Sequence, residues 1–167
     1  DWDFFHLSKL PNMIQVIDTH PNLKWRWRNI SMNKGITLDF VQKHKDRDFW
    51  WVYVLSNPNI TMNDIKNIPC EHYSYNWISR NPNIHLDFIL NHPSNDWNWC
   101  WISFGIKDSI DKIVNHYEKP WNWRYLSLNS NIKITDVEKY SDLPWDWSSL
   151  SYKHNIRQSF IEKYISK

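Results

Sequence analysis

The sequence is poor in the small residues that build nucleotide-binding loops. It contains no alanine and only two glycines, Gly35 and Gly105, among 167 residues. Loops that bind phosphate groups need several glycines close together, so this class of site is excluded. The chain also lacks a His-Glu-x-x-His metal motif and the Gly-x-Ser-x-Gly turn of serine hydrolases. We therefore predict no catalytic residues, no cofactor and no metal, and expect no enzyme activity. A small-molecule ligand is equally disfavoured.

Cysteine is scarce as well. The two cysteines, Cys70 and Cys100, are too few for a disulfide framework and lack the spacing of zinc ligands. This usage is typical of proteins from a reducing compartment.

Long apolar runs and a strong charge of one sign are also missing. No apolar run approaches the roughly 18 residues that a membrane span requires, so no membrane contact is predicted. The net charge of +2 and pI near 8.5 are only mildly basic, whereas nucleic-acid modules usually concentrate more positive charge. The aromatic content of 17% distinguishes the chain from disordered proteins, which have few aromatic residues.

What the sequence does contain is a 24-residue repeat marked by 13 tryptophans. The first aromatic column is Trp25, Phe49, Tyr73, Trp97, Trp121 and Trp145. A second aromatic column follows two residues later, at Trp27, Trp51, Tyr75, Trp99, Trp123 and Trp147. An aliphatic column comes next, at Ile30, Val54, Ile78, Ile102, Leu126 and Leu150. Ser occupies the position after it, except at Leu55.

Seven repeats account for the whole chain. The first begins at Trp2 and runs one residue out of phase, which a deletion between Met13 and Val16 restores. The repeats lie near 1–24, 25–48, 49–72, 73–96, 97–120, 121–144 and 145–167.

The first half of each repeat is predicted to be a short helix. The second aromatic, the aliphatic residue and the Ser are spaced i, i+3, i+4, which places them on one helix face. Asp48, Asp96, Pro120 and Pro144 precede four of these segments and are predicted helix-start residues. An Asn-rich turn, such as Asn81-Pro82-Asn83, follows, and we expect Asn there to adopt the left-handed conformation that glycine usually supplies.

The second half of each repeat carries its own helix-start signal. Thr37, Thr61 and Ser109 fit the N-cap position. Ile36 and Val41 flank the first of these caps with the spacing of a hydrophobic staple. The helix is predicted to run about two turns. It then reaches a column that contains His44, His92, His116, Tyr140 and Tyr164.

Helices this short are unstable alone, so each repeat must pack on the next. The predicted fold is all-α, an α-solenoid of seven 24-residue helix-turn-helix repeats forming a single domain, 1–167, which a longer array could extend. Neither end shows a polar capping repeat, so self-association through the end faces is also predicted.

The repeat resembles a known family. It reads Pro-Trp-x-Trp-x-x-Leu-Ser-x-Asn-x-x-Ile from Pro120 to Ile132, and Ser-x-Asn-Pro-Asn-Ile from Ser79 to Ile84. This resembles the tryptophan-rich repeats of giant DNA viruses that infect amoebae. The resemblance covers all seven repeats and implies a viral origin and a repeat fold, but no activity. Departures from the motif are Phe49, Tyr73, Gly105 and the turn Lys153-His154-Asn155.

Two aromatic positions differ in what they predict. The second column shares a face with Ile30 and Ser31, so we assign it to the core. The position four residues after the first column varies along the chain: Asn29, Tyr53, Trp77, Trp101, Tyr125 and Ser149. A variable column beside constant ones is typical of recognition, although packing between repeats would give the same pattern. Tyr53, Trp77, Trp101 and Tyr125 are therefore candidate partner-binding residues.

Basic residues and histidines give weaker indications. Arg26 and Arg28 form a basic patch, and Arg124 adds a charge later, but the patch does not continue along the repeats. These three arginines are candidate partner-binding residues, and nucleic acid is disfavoured. The recurring histidines are predicted to bond helix-end carbonyls rather than to form a metal ladder.

The sequence thus predicts a non-enzymatic protein-protein interaction scaffold or structural repeat protein, in the host cytoplasm or the virion. The alternative is binding of single-stranded nucleic acid or glycan along an exposed aromatic stripe.

Overall fold

A computed structural model describes residues 1–68 and 72–166, so Cys70 lies outside the described residues. All regular secondary structure in the described residues is helical, which confirms the all-α prediction. Fourteen short α-helices and one 3-10 turn, Pro11–Met13, are described. The helices are α1 Phe4–Leu7, α2 Ile14–Thr19, α3 Trp27–Ile30, α4 Leu38–Lys43, α5 Trp51–Leu55, α6 Met62–Ile65, α7 Tyr75–Ile78, α8 Leu86–Leu90, α9 Trp99–Gly105, α10 Ile110–Val114, α11 Trp123–Leu128, α12 Ile134–Lys139, α13 Trp147–Leu150 and α14 Gln158–Tyr164.

The chain forms two compact units, Asp1–Asn83 and Ile84–Lys167. The helices come in pairs, one pair for each 24-residue repeat. Within the described part of the chain, no helix is long and apolar enough to cross a bilayer.

The first aromatic column forms the core. All its members except the half-buried Tyr73 are buried: Trp25, Phe49, Trp97, Trp121 and Trp145. The indole Nε1 of each tryptophan in this column donates to a carbonyl five residues earlier, as Trp121 does to His116 at 2.9 Å and Trp145 to Tyr140 at 2.8 Å. These bonds satisfy the polar end of the ring, so it can be buried at little cost.

The second aromatic column is only half-buried, and our assignment of it as the main core column was wrong. Each member is the first residue of its helix, so its ring lies at the edge of the repeat. The first-column ring of the next repeat packs against it in an edge-to-face arrangement. The centroid distances are 5.5 Å for Trp27–Phe49, 4.9 Å for Trp99–Trp121 and 5.2 Å for Trp123–Trp145.

The serine column joins neighbouring repeats by hydrogen bonds. The Ser31 hydroxyl donates to the Trp27 carbonyl at 3.2 Å and accepts the Trp50 N–H at 2.8 Å. Ser103 and Ser127 accept the N–H groups 19 residues later, each at 2.9 Å. Because both repeats use the same hydroxyl, a fully buried polar group remains satisfied.

The Asn-rich turns form a second ladder between repeats. The side-chain amide of Asn81 donates to the carbonyls of Leu55, Asn57 and Ile60 at 2.8, 3.2 and 2.8 Å. Its carbonyl oxygen accepts the Asn83 N–H at 2.8 Å. Asn33, Asn57 and Asn129 make equivalent bonds to the preceding repeat.

This ladder corrects our expectation that Asn replaces glycine in the turns. No described residue has a positive φ, so the left-handed conformation is not used in these turns. Asn is present because its amide reaches the carbonyls of the preceding turn.

The helix caps match the prediction in the second helices but not in the first. The side chains of Thr37, Thr61 and Ser109 accept backbone N–H groups as predicted N-caps. The first helices begin later than expected. Their caps are the residues between the two aromatic columns, namely Asn98, Asn122 and Asp146 in the second compact unit. Asp48, Asp96, Pro120 and Pro144 lie two residues before the N-cap, and their assignment as helix-start residues was wrong.

Candidate interaction surface

Three aromatic side chains remain exposed beside the buried columns of the second compact unit. Trp101 and Phe104 lie three residues apart on α9, so they share one helix face. Tyr125 lies on α11, and its ring packs edge to face on Phe104 with centroids 6.2 Å apart. The exposed fractions are 42% for Trp101, 47% for Phe104 and 38% for Tyr125. We call these three residues the exposed aromatic surface.

The predicted residues Trp101 and Tyr125 therefore belong to one surface, whereas Phe104 was missed. Its signal was its spacing of three residues from Trp101 within the same helix. Half-buried Leu128, three residues after Tyr125 on α11, extends the apolar character of that helix face.

The other two predicted aromatic residues lie in the first compact unit and are half-buried. Tyr53 stacks on Trp50, with centroids 5.6 Å apart and planes inclined by 27°. Trp50 is exposed and was also missed, because it stands between the two columns as the N-cap of α5. Trp77 lies on α7.

The predicted arginines differ in their surroundings. Arg28 forms an ion pair with Asp48 at 2.7 Å, and its guanidinium lies 5.5 Å from the centre of the Trp50 ring. Arg26 is exposed, and its backbone N–H donates to the Ser8 hydroxyl. Arg124 is exposed beside Tyr125. The charge of Arg28 is therefore compensated, and no line of free cations follows the aromatic residues.

The variable column ends in polar residues that pack. Asn29 is half-buried, and its amide donates to the Phe5 carbonyl of the preceding repeat at 3.4 Å. Ser149 is buried, and its N–H donates to the Asp146 carboxylate at 2.6 Å. The column thus serves packing at its ends and remains exposed at Trp101 and Tyr125.

The histidines take several different partners. Nδ1 of His92 bonds the Phe88 carbonyl at 2.8 Å, as predicted for a helix-end histidine. His44 instead bonds Asp18 of the preceding repeat at 2.8 Å and packs against Trp27. Among the residues that the structure describes, no three histidines, cysteines or carboxylates are grouped closely enough to hold a metal ion.

Charged residues of the second helices pair between neighbouring repeats. Hydrogen bonds from Lys43 and then from His44 lower the pKa of Asp18. In the second compact unit, Lys139 and then Tyr140 lower the pKa of Asp111 by the same kind of contact. These carboxylates stay ionised near neutral pH, so they act as acceptors for neighbouring repeats and not as proton donors.

A cavity of about 510 Å³ opens among the last two repeats. Its walls include Ile132, Glu138, Tyr152, Lys153 and Phe160. The Lys153 ammonium donates to the Asn129 and Ile132 carbonyls, each at 2.7 Å. Lys153 therefore serves the ladder here, in the position that Asn occupies in earlier repeats.

The exposed aromatic surface offers apolar contact area, one phenol hydroxyl and one indole N–H. Such side chains bury well against another protein because they lose little conformational entropy and can still form hydrogen bonds. No family model, curated protein or solved structure matches this chain. The functional argument therefore rests on the chemistry of the chain itself.

Proposed function

We propose that the chain is an α-solenoid of seven repeats that acts as a non-enzymatic protein-interaction scaffold. The serine and asparagine ladders support the solenoid, because the same bonds recur between successive repeats within each compact unit. Contacts restricted to neighbouring repeats are characteristic of such arrays.

The observation that carries the proposed function is the exposed aromatic surface. The first aromatic column is almost wholly buried, yet Trp101, Phe104 and Tyr125 remain open to solvent. Clustered exposed aromatic residues are uncommon on monomeric proteins and often mark a binding site. Tryptophan and tyrosine are also enriched among the residues that dominate protein interfaces.

The charges around this surface favour a protein partner over nucleic acid. Binding along a nucleic-acid backbone needs several positive side chains that follow the aromatic residues. Arg124 lies next to Tyr125, but Arg28 belongs to the first compact unit and is paired with Asp48.

The experiment is affinity capture from a lysate of amoebal host cells, divided into nuclease-treated and untreated halves. The wild-type chain is compared with a Trp101→Ala, Tyr125→Ala double variant. The control is Tyr117→Ala, since Tyr117 is an exposed aromatic residue at the end of a second helix. Bound proteins and nucleic acids are both identified.

The proposal predicts a protein that survives nuclease, is lost with the double variant and is kept by Tyr117→Ala. A protein captured equally by all three chains contradicts the assignment of the surface. Capture that disappears with nuclease contradicts the proposal and favours the nucleic-acid alternative.

A further inference from the structure

The internal contact between repeats sets the geometry that an end face must match. In each compact unit, a first-column ring packs edge to face on the second-column ring of the preceding repeat, as Phe49 does on Trp27 and Trp145 on Trp123. The serine hydroxyl of the preceding repeat also accepts an N–H from the following one. One repeat thus presents a ring edge and a donor, and its neighbour presents a ring face and an acceptor.

The first repeat presents the ring-edge side of this contact to solvent. Trp2 is its first-column residue and is 78% exposed, whereas Trp25, Trp121 and Trp145 are at most 7% exposed. Leu10 and Val16 are exposed apolar residues of the same repeat. Asp3 supplies the backbone N–H that corresponds to the Arg26 N–H bound by Ser8 in the next contact.

The last repeat presents the opposite side. Ile161 is 50% exposed, whereas the residues at its position in the six preceding repeats are at most 2% exposed: Ile17, Val41, Ile65, Ile89, Ile113 and Val137. Ser151 is also exposed, although its counterparts Ser103 and Ser127 are fully buried. An open cavity of about 380 Å³ lies between these residues and the rings of Trp147 and Tyr164.

We propose that the first repeat of one copy docks on the last repeat of a second copy, placing Trp2 against Trp147 and the Asp3 N–H on the Ser151 hydroxyl. The occupant is a second copy because the exposed face continues the contact that successive repeats already make within each compact unit. The inference is independent of the partner proposed for the exposed aromatic surface.

The junction lacks one bond of the internal contact. Leu10 stands where later repeats carry the ladder asparagine, such as Asn33. A leucine cannot donate to the carbonyls of the preceding repeat, so the contact between copies is weaker than the contact within a chain. Association therefore depends on concentration.

The test is sedimentation of the 167-residue chain across a dilution series. The wild-type chain is expected to grow beyond a dimer, because each copy keeps an open face at both ends and unlike faces do not close a two-fold dimer. Trp2→Ala and Ile161→Glu are each expected to raise the apparent Kd about tenfold or more, since they alter central apolar contacts. Far-UV circular dichroism confirms folding.

Mixing the two variants tests the orientation. Trp2→Ala keeps a functional last repeat and Ile161→Glu keeps a functional first repeat, so the mixture is expected to form a complex of two copies and no larger species. Phe104→Glu is the control, because it alters the exposed aromatic surface and leaves both end faces intact. It also separates failure of this inference from failure of the proposed function.

Three results overturn the proposal. The first is a wild-type chain that stays monomeric at every concentration, and the second is association that survives both substitutions. The third is association lost with Ile161→Glu but unaffected by Trp2→Ala, since like faces would then meet.

Discussion

The asparagine side chain performs a specific task in each turn. Three carbonyl groups that would otherwise be buried without a donor receive the amide of Asn81. A buried polar group without a partner costs about 1–3 kcal/mol, and leucine or serine at this position could not reach all three acceptors.

Replacing Asn81 with alanine is expected to lower the free energy of unfolding by roughly 3 kcal/mol or more, because several buried carbonyls lose their donor. Asn59→Ala is the matched control. The exposed Asn59 amide makes a bond of 2.6 Å to the Lys34 carbonyl, so its loss is expected to cost less than about 1 kcal/mol. Urea unfolding followed by circular dichroism measures both. Equal losses would contradict the importance of the buried amide.

Lys153 occupies the asparagine position of the last repeat, and its burial lowers its pKa below the usual 10.5. The folded chain then binds this proton less tightly than the unfolded chain does. Stability should therefore rise with pH from the lowered pKa towards 10.5. Lys153→Asn can donate to the same two carbonyls without burying a charge, so it is expected to stabilise the chain at pH 7 by about 1 kcal/mol.

The gain from Lys153→Asn is expected to shrink as the pH approaches 10.5, because the wild-type lysine loses its charge in that range. Urea unfolding at pH 7 and at alkaline pH measures the difference. Lys107→Asn, at an exposed position, is the control for removing a positive charge. A gain that is absent at pH 7, or that stays constant with pH, contradicts the explanation.

The two glycines differ in the space around them. A Cβ at Gly35 would lie 2.8 Å from both Ile14 Cγ1 and the Pro11 carbonyl oxygen, whereas a Cβ at Gly105 would meet no atom within 4 Å. Gly105→Ala is expected to stabilise α9 by about 0.5–1 kcal/mol, since alanine favours the helix. Gly35→Ala is expected to destabilise the chain. Thermal unfolding of both variants checks the sign, and stabilisation by both would contradict the crowding at Gly35.

At the scale of the helix, the caps decide where each element begins. Asn98, Asn122 and Asp146 each lie between the two aromatic columns and accept an N–H three residues later. The aromatic residue after the cap therefore becomes the first helical residue, which explains why the second column lies at the edge of the core.

Asp146 gives this cap a pH dependence. Hydrogen bonds from the Ser149 side chain and backbone lower the pKa of Asp146 below the usual 3.8. Its contribution to stability is therefore complete above 3.8 and is lost as the pH falls through the lowered pKa. Asp146→Asn still caps the helix, so stability at pH 7 is expected to change little.

The loss of stability of Asp146→Asn below pH 3.8 is expected to be smaller than that of the wild-type chain. Urea midpoints at pH 7 and at acid pH measure the effect. Asp46→Asn, an exposed position in a turn, is the control. The same acid sensitivity in wild type and Asp146→Asn would contradict the role of this carboxylate.

Some of these elements could be predicted from the sequence and others could not. The helix pairs and the Thr37 cap follow from local spacing, which sequence records directly. Both aromatic columns have the same spacing, so their burial depends on which ring the next repeat covers. The asparagine ladder was hidden because its acceptors are backbone carbonyls, which every residue carries. Phe104 was missed because exposure is set by the neighbouring helix.

At the scale of the whole molecule, buried and exposed tryptophans are separated within single repeats. Trp101 is 42% exposed, and Trp121, which begins the next repeat, is 7% exposed. Iodide cannot reach an indole that is buried in the core. Trp101→Phe is therefore expected to reduce the fraction of fluorescence that iodide quenches, whereas Trp121→Phe removes emission that iodide does not reach. Similar quenching changes in both variants would contradict the exposed aromatic surface.

The asparagine and serine ladders have a consequence for the gene. Their bonds join a repeat only to its immediate neighbour, through donors and acceptors that recur at a constant separation in each compact unit. Recombination that inserts or removes one complete repeat would reunite compatible partners at the new junction. Insertion of a single codon between an asparagine and its acceptors would instead misalign that junction. Natural variants are therefore expected to differ in length by whole multiples of the coding unit.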